Sequence, residues 1–405
     1  MNVTGSAPAP GEAEFDEERQ LEEFDGWLED NLPSEWRERA FPPIAPPGDE
    51  DPEGVMASRQ WQKILDDGRW AAPGWTVEHG GRGLGIASRL AIAKRLALAR
   101  APIPIGFQGV EMLGPTLIEH GTPEQQERFL PGIRSGAEIW CQGYSEPEAG
   151  SDLASLRTTA VLDGDDYVVT GQKVWTSFGQ RAQWCFLLVR TGSMEDRYRS
   201  ISFLLVDMKT AGIEWRPIRD MSGAEDFGEL FLDEVIVPAH QVVGGEGNGW
   251  RVAMSSLSHE RLLASNCAHL RARVDALVDL ARGTSVGTRV RDEVIRLFEQ
   301  VFTLERVEGR VLSMARREDP RFPAWASLLK VAGTEARQAI AECATLILGV
   351  DASAASSYGA GVEAKNEASV WAHELLESRA STIYAGSSEI QRNILAERGL
   401  GLPKD

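Results

Sequence analysis

The sequence predicts an α+β chain in three parts, and three observations carry that prediction. Apolar residues recur at helical spacing through the first third. Between Trp140 and Val237 they gather instead into short runs rich in Val, Ile, Phe and Trp, with turn residues between them. From Gly249 the helical period returns and lasts almost to the end. The expected order is a helical domain over 1–135, a small antiparallel β domain over 136–240, and a helical bundle over 241–405.

The elements follow in order. Residues 1–12 are small and Pro-rich, the composition of a frayed tail. Glu14 to Leu32 places Phe15, Leu21, Phe24 and Leu28 on one helical face. FPPIAPPGDEDP (41–52) is a loop, because its prolines exclude a helix interior. Helical spacing resumes at Ser58 to Asp67, at Ala87 to Leu98 and at Gly109 to His120. Thr122, with Pro123 and Gln125 behind it, reads as the cap of the next helix. Strands are expected at Trp140, at Tyr167–Val169, and over 184–189, 201–206, 213–218 and 229–237. Helices follow over 250–280, 286–317, 324–348, 362–379 and 388–398, the first four long enough to form a four-helix bundle.

Composition bounds the function. At 405 residues the chain is large enough for two or three domains, and its 42% hydrophobic and 25% charged residues are ordinary globular values. A net charge of -19 argues against nucleic acid or an anionic membrane as partner. No apolar run reaches the ~20 residues of a membrane span. The N-terminus lacks a basic-then-apolar leader, and the four scattered cysteines form no CxxC. Both features point to a reducing, cytoplasmic setting. Six histidines show no metal-ligand spacing, and there is no GxSxG. The GGRGLG turn (80–85) does not match GxGxxG.

The chemically suggestive stretch is Trp140 to Ser177, opening WCQGYSEPEAGSD and closing GQKVWTS. Small residues admit a flat ring, hydroxyls and N–H groups meet a polar edge, and Trp175 offers a stacking face, so the stretch reads as a flavin cradle. The plainer reading makes Ser145 and Ser151 turn caps and Trp175 core.

Five ordered stretches decide between the two. LGPTLIEHGTPEQQERFLPGI (113–133), WCQGYSEPEAGSD, GQKVWTS, FGELFLDEVIVP (227–238) and YAGSSEIQRNILAERGLGLP (384–403) resemble the acyl-CoA dehydrogenases across almost the whole chain. The resemblance implies FAD as cofactor, an acyl-CoA thioester as substrate, and an acceptor of the electron-transfer flavoprotein type. It implies that Gln142, Tyr144, Ser145 and Ser151 line the flavin, Trp175 packs beside it and Ser177 bonds it. Ser387, Ser388 and Glu389 would meet its diphosphate or ribose, and Ser151 and Tyr384 would meet substrate. The plainer reading of the serines is an N-cap at Ser388 closed by Gln391.

Two departures from the family pattern matter. The usual catalytic glutamate between Tyr and Gly of the last motif is Ala385 here, which keeps only a backbone N–H to bind the enolate oxygen. One branch of the family carries its base on the first long C-terminal helix. The matching segment SSLSHERLLAS puts Glu260 there with Arg261 beside it, so Glu260 is the expected base. Secondly, 279–294 and 346–361 lack the Arg-x-x-Phe-Gly and Gln-x-x-Gly-Gly segments that reach a neighbour's FAD. A tetramer is therefore expected, and a heteromer with a related chain. The competing functions are a catalytically silent partner subunit and a flavin oxidase or monooxygenase.

Overall fold

The computed structural model describes residues 10–38, 46–48, 51–263, 267–317, 319–351 and 367–403, with side chains for all of these except 10–17, 35, 38 and 258–263. Among the described residues the first part holds five α-helices: α1 (Pro10–Asn31), α2 (Pro52–Asp67), α3 (Ile86–Leu98), α4 (Gly114–His120) and α5 (Pro123–Ser135). Phe24 and Leu28 of α1 bury against Trp61 and Leu65 of α2 and Ile92 of α3. Asp51 caps α2 by accepting from Gly54 N at 2.9 Å. Thr122 and Gln125 form both bonds of the expected capping box on α5. Gln62, fully buried on α2, holds the part together by accepting from Gly106 N and donating to the Ile133 and Arg134 carbonyls. The helix expected over 109–120 starts with a π-helical turn, Gly109–Leu113, before α4.

Among the described residues eight strands make one sheet: β1 (Trp140–Gly143), β2 (Thr159–Asp163), β3 (Asp166–Ser177), β4 (Trp184–Arg190), β5 (Ile201–Asp207), β6 (Ile213–Ile218), β7 (Phe227–Pro238) and β8 (Val242–Val243). Their order is β6-β7-β3-β2-β4-β5-β8, with β1 also on β4. The sheet is not wholly antiparallel as expected, since β1 and one bridge of β2 pair with β4 in parallel. A tight hairpin turn cannot join parallel neighbours; the chain reaches β4 from β1 only after the β2–β3 hairpin. Trp140 and Trp184, in register, stack at 5.4 Å and seal the sheet against Phe129 of α5.

The last part begins at Gly249, where a Cβ would fall 2.4 Å from the Ser202 carbonyl carbon of β5, so only glycine lets the helix start this close. The single helix expected over 250–280 is described as α6 (Gly249–Leu263) and α7 (Cys267–Gly283), on either side of 264–266. The remaining helices are α8 (Thr288–Arg316), α9 (Phe322–Leu348), α10 (Glu367–Ser381) and α11 (Ser388–Ile394), with a final π-helical turn Leu395–Gly399. Helices α7 to α10 share one apolar core that includes Leu277, Leu297, Ile340 and Trp371. Inside it Glu374 accepts from both Arg273 and Arg337 at 2.6 to 3.1 Å. Two guanidiniums against one carboxylate leave little of its charge unsatisfied, which makes its burial tolerable. Helix α6 stands at the junction, touching the π-helical turn, α4, β5 and α9.

Candidate active site

The cradle is assembled where β1 ends beside β3. Ser145 O accepts from Val174 N at 2.9 Å, which lays the loop after β1 along the strand. Pairing of β3 with β7 shifts between Lys173 and Thr176, so the strand bulges there. Trp175 takes φ +61 and stands 58% exposed, edge-on to Phe227, while Thr176 behind it is fully buried. The bulge thus turns the indole outward and the next hydroxyl inward.

A buried ion pair supports the loop from below. Lys173 Nζ, with no exposure, donates to Glu146 Oε1 at 2.8 Å and to Tyr144 O at 3.3 Å. Glu146 also accepts from Arg157 N and Thr158 N, at 2.6 and 2.9 Å. Burial pushes the Glu146 carboxyl up, but Lys173, Thr158 and Arg157 outweigh it and hold it below the usual range. Arg190 fixes the far end of the loop by donating to the Ala154 and Leu156 carbonyls.

Two polar atoms test whether this cradle suits a flavin. Gln142 Nε2 and Thr176 Oγ1 are buried and have no hydrogen-bond partner among the described residues. A buried polar group left so costs about 1–3 kcal/mol. A planar ligand with polar edges would give Gln142 Nε2 a partner, and the outward indole would offer it a stacking face, so the residues fit FAD.

The second constellation is the loop between α10 and α11. Ala385 and Gly386 are both left-handed, with φ +53 and +85. Gln391 Nε2 donates to Ala385 O at 3.0 Å, and Lys330 Nζ of α9 donates to Gly386 O at 2.7 Å. No described residue accepts from the N–H groups of Ala385, Gly386 or Ser387. The cap of α11 is Ser387, accepting from Ile390 N, and not Ser388 as expected. The left-handed pair places the Ala385 carbonyl where Gln391 binds it, which removes Gln391 from the capping role. Ser388 is buried with its hydroxyl unpartnered among the described residues. Glu389 is exposed, its carboxyl held low by its own backbone N–H and the Ser387 hydroxyl.

Of the sequence-predicted residues, Gln142 lies on β1 and Ser145 on the loop after it, which is bonded to β3 beside Trp175 and Ser177. The Tyr144 ring is in the core, edge-on to Phe186 and Phe203, so its backbone is what the cradle presents. Ser151 is exposed on the loop, and Tyr384 is 44% exposed beside Ala385. Glu260 and Arg261 belong to α6, and their side chains lie outside the described residues. So does most of 346–361, from 352 onward. Sequence reasoning missed Lys173 and Lys330, and it did not foresee Glu146 as the partner of a buried lysine. A lone lysine within the apolar run ASLLKVAG was the one available signal for Lys330. A cavity of about 1150 Å³ lies elsewhere, between the α4–α5 turn, residues 239–246 and Arg251, and no candidate site residue lines it.

Helices, sheet and bundle in this order, with a polar-edged cradle on the sheet, define the acyl-CoA dehydrogenase fold. Models of the acyl-CoA dehydrogenase N-terminal, middle and C-terminal domains match residues 34–137, 141–235 and 247–400. The chain therefore belongs to the acyl-CoA dehydrogenase family, oxidoreductases acting on CH–CH bonds. It is 40% identical over 390 residues to acyl-CoA dehydrogenase IpdE1 of Mycobacterium tuberculosis, covering 94% of this chain and 96% of that one. IpdE1 of Mycolicibacterium smegmatis is 41% identical over 394 residues, covering 94% and 96%. Among solved structures, the Tcur3481-Tcur3483 steroid ACAD superposes with a TM-score of 0.79 at 28% identity over 100% of both chains. The ChsE4-ChsE5 complex from Mycobacterium tuberculosis gives 0.79 at 29%, again over 100% of both.

Proposed function

We propose that this chain carries the proton-abstracting half of an FAD-dependent α,β-dehydrogenation of a bulky, steroid-type acyl-CoA, working in a heteromer with a related chain. The observation that carries the reading is Ala385. The family's usual base is absent at that position, while the backbone N–H there has no acceptor among the described residues. A thioester α-proton is weakly acidic, so removing it requires a base at the α-carbon and a donor at the oxygen where charge develops.

In this reading Ala385 N–H binds the thioester oxygen and Glu260 takes the α-proton. Glu260 belongs to α6, which packs on both the π-helical turn 109–113 and α9, the helix whose Lys330 holds the Ala385 loop. Arg261 orients the site, and Ser151 and Tyr384 contact substrate. Gln142, Ser145, Trp175 and Ser177 hold the cofactor ring, and Ser387, Ser388 and Glu389 its phosphate-bearing end. Bound FAD supplies the acceptor for the β-hydride. The two solved relatives, one a steroid ACAD and both of paired chains, support the substrate class and the heteromer.

The test is Glu260→Gln, co-expressed with a related chain and titrated with straight-chain and steroid acyl-CoAs. Expected are retained flavin, no substrate bleaching and a loss of turnover of about 10²–10⁴-fold. Turnover near wild type would rule out Glu260. Tight stoichiometric FAD in a homo-oligomer would rule out the heteromer.

A further inference from the structure

We infer that Lys330 is a positioning residue for the oxyanion donor, holding the Ala385–Gly386 loop in its left-handed form and adding positive charge behind it. This rests on the proposed role of Ala385. Lys330 is 1% exposed on α9, in a stretch where Ala326, Leu329 and Val331 are buried with it. Its ammonium donates at 2.7 Å to Gly386 O, and Gln391 holds Ala385 O at 3.0 Å.

The peptide unit is planar and trans, so its C=O and N–H point in opposite directions. Tying the Ala385 and Gly386 carbonyls inward therefore turns the Gly386 and Ser387 N–H groups outward. Among the described residues these N–H groups and that of Ala385 have no acceptor, so the loop offers free donors that favour negative charge. Alanine resists the left-handed conformation, which costs it about 1–2 kcal/mol. The loop thus needs outside bonds to stay in place, and Lys330 and Gln391 supply them. Gly386 suits this position because its φ is +85, and a Cβ there would stand 2.4 Å from Gln391 Nε2, pushing that amide off the Ala385 carbonyl.

Lys330 does more than a neutral donor does. A unit charge within two peptide groups, at an effective dielectric of about 20, moves a neighbouring ionisation by about one to two pH units. The substrate α-proton therefore becomes more acidic in the site when Lys330 is present.

The experiment uses the flavin-loaded protein and a panel of 3-thiaacyl-CoAs, straight-chain and steroid. These ionise at the α-carbon and carry no β-hydrogen, and the bound anion gives a long-wavelength charge-transfer band with oxidised flavin. The pH at which the band forms reads the α-proton acidity directly, which a merely structural residue does not set. Lys330→Gln keeps a donor for Gly386 O and removes the charge, so the midpoint should rise by about one unit or more. Lys330→Arg should restore it to within about half a unit. Should the Gln variant fail to fold, a midpoint in Lys330→Arg displaced by more than about one unit would overturn the charge role, and an undisplaced one supports it. A midpoint unmoved in Lys330→Gln overturns the inference while leaving the proposed function intact. No band in wild type with any ligand refutes the proposed function itself, and this inference with it.

Discussion

Replacing Lys173 with methionine isolates the ion pair beneath the cradle. The ammonium is fully buried and the Glu146 side chain is 7% exposed, so their 2.8 Å contact is shielded from water and salt. Removing one member of such a pair leaves an uncompensated buried charge, at a cost of about 3–5 kcal/mol. Here Glu146 retains the Arg157 and Thr158 N–H donors, which places the expected loss near the lower end, about 3 kcal/mol. Adding Glu146→Gln removes the charge itself, so the double variant should recover most of the loss. Urea unfolding followed by tryptophan fluorescence measures stability, and gel filtration measures flavin retained. The single variant should also shed flavin, because Lys173 holds Tyr144 O in the loop. A loss under about 1 kcal/mol, or a double variant no better than the single, refutes the account.

The bundle and the helix caps give two further tests. Glu374, pinned between Arg273 and Arg337, has its carboxyl drawn from 4.5 to about 2 despite the upward push of burial. A depressed carboxyl stabilises the fold fully above its unfolded pKa and stops doing so as pH falls through the folded one. The bundle should therefore lose about 3 kcal/mol between roughly pH 4.5 and 2, and circular dichroism of Glu374→Gln should show a flatter acid limb. Thr122→Ala removes one bond of the capping box on α5 and should cost about 1 kcal/mol, whereas Thr122→Gly should cost only a few tenths. Equal losses in denaturant midpoint for the two would discount the hydroxyl.

Much of the fold was legible because its signals are local. The Thr122 box, the 201–206 and 213–218 strands and the helical period of 324–348 depend on neighbours in sequence. Strand β2 was not legible, because only Ala160 of its five residues is buried and its exposed Val161 and Leu162 break the alternation. The parallel place of β1 depends on a partner more than forty residues away. At the site the family motifs pointed to candidate cradle residues, but not to what supports them. Lys173 and Lys330 are lysines in ordinary-looking stretches, and burial of a lysine is decided by a distant acceptor, Glu146 or the Gly386 carbonyl. The Ser387 cap was displaced by one residue because the conformation of Ala385 and Gly386 is set in space.

The outward turn of Trp175 also gives the molecule an optical handle. Of the twelve tryptophans it alone is exposed, the rest being buried or half-buried. A dissolved collisional quencher therefore meets this indole before any other, and whatever covers the cradle shields it. The chain carries, at the centre of its proposed cofactor seat, a native fluorescent gauge of occupancy that needs no label.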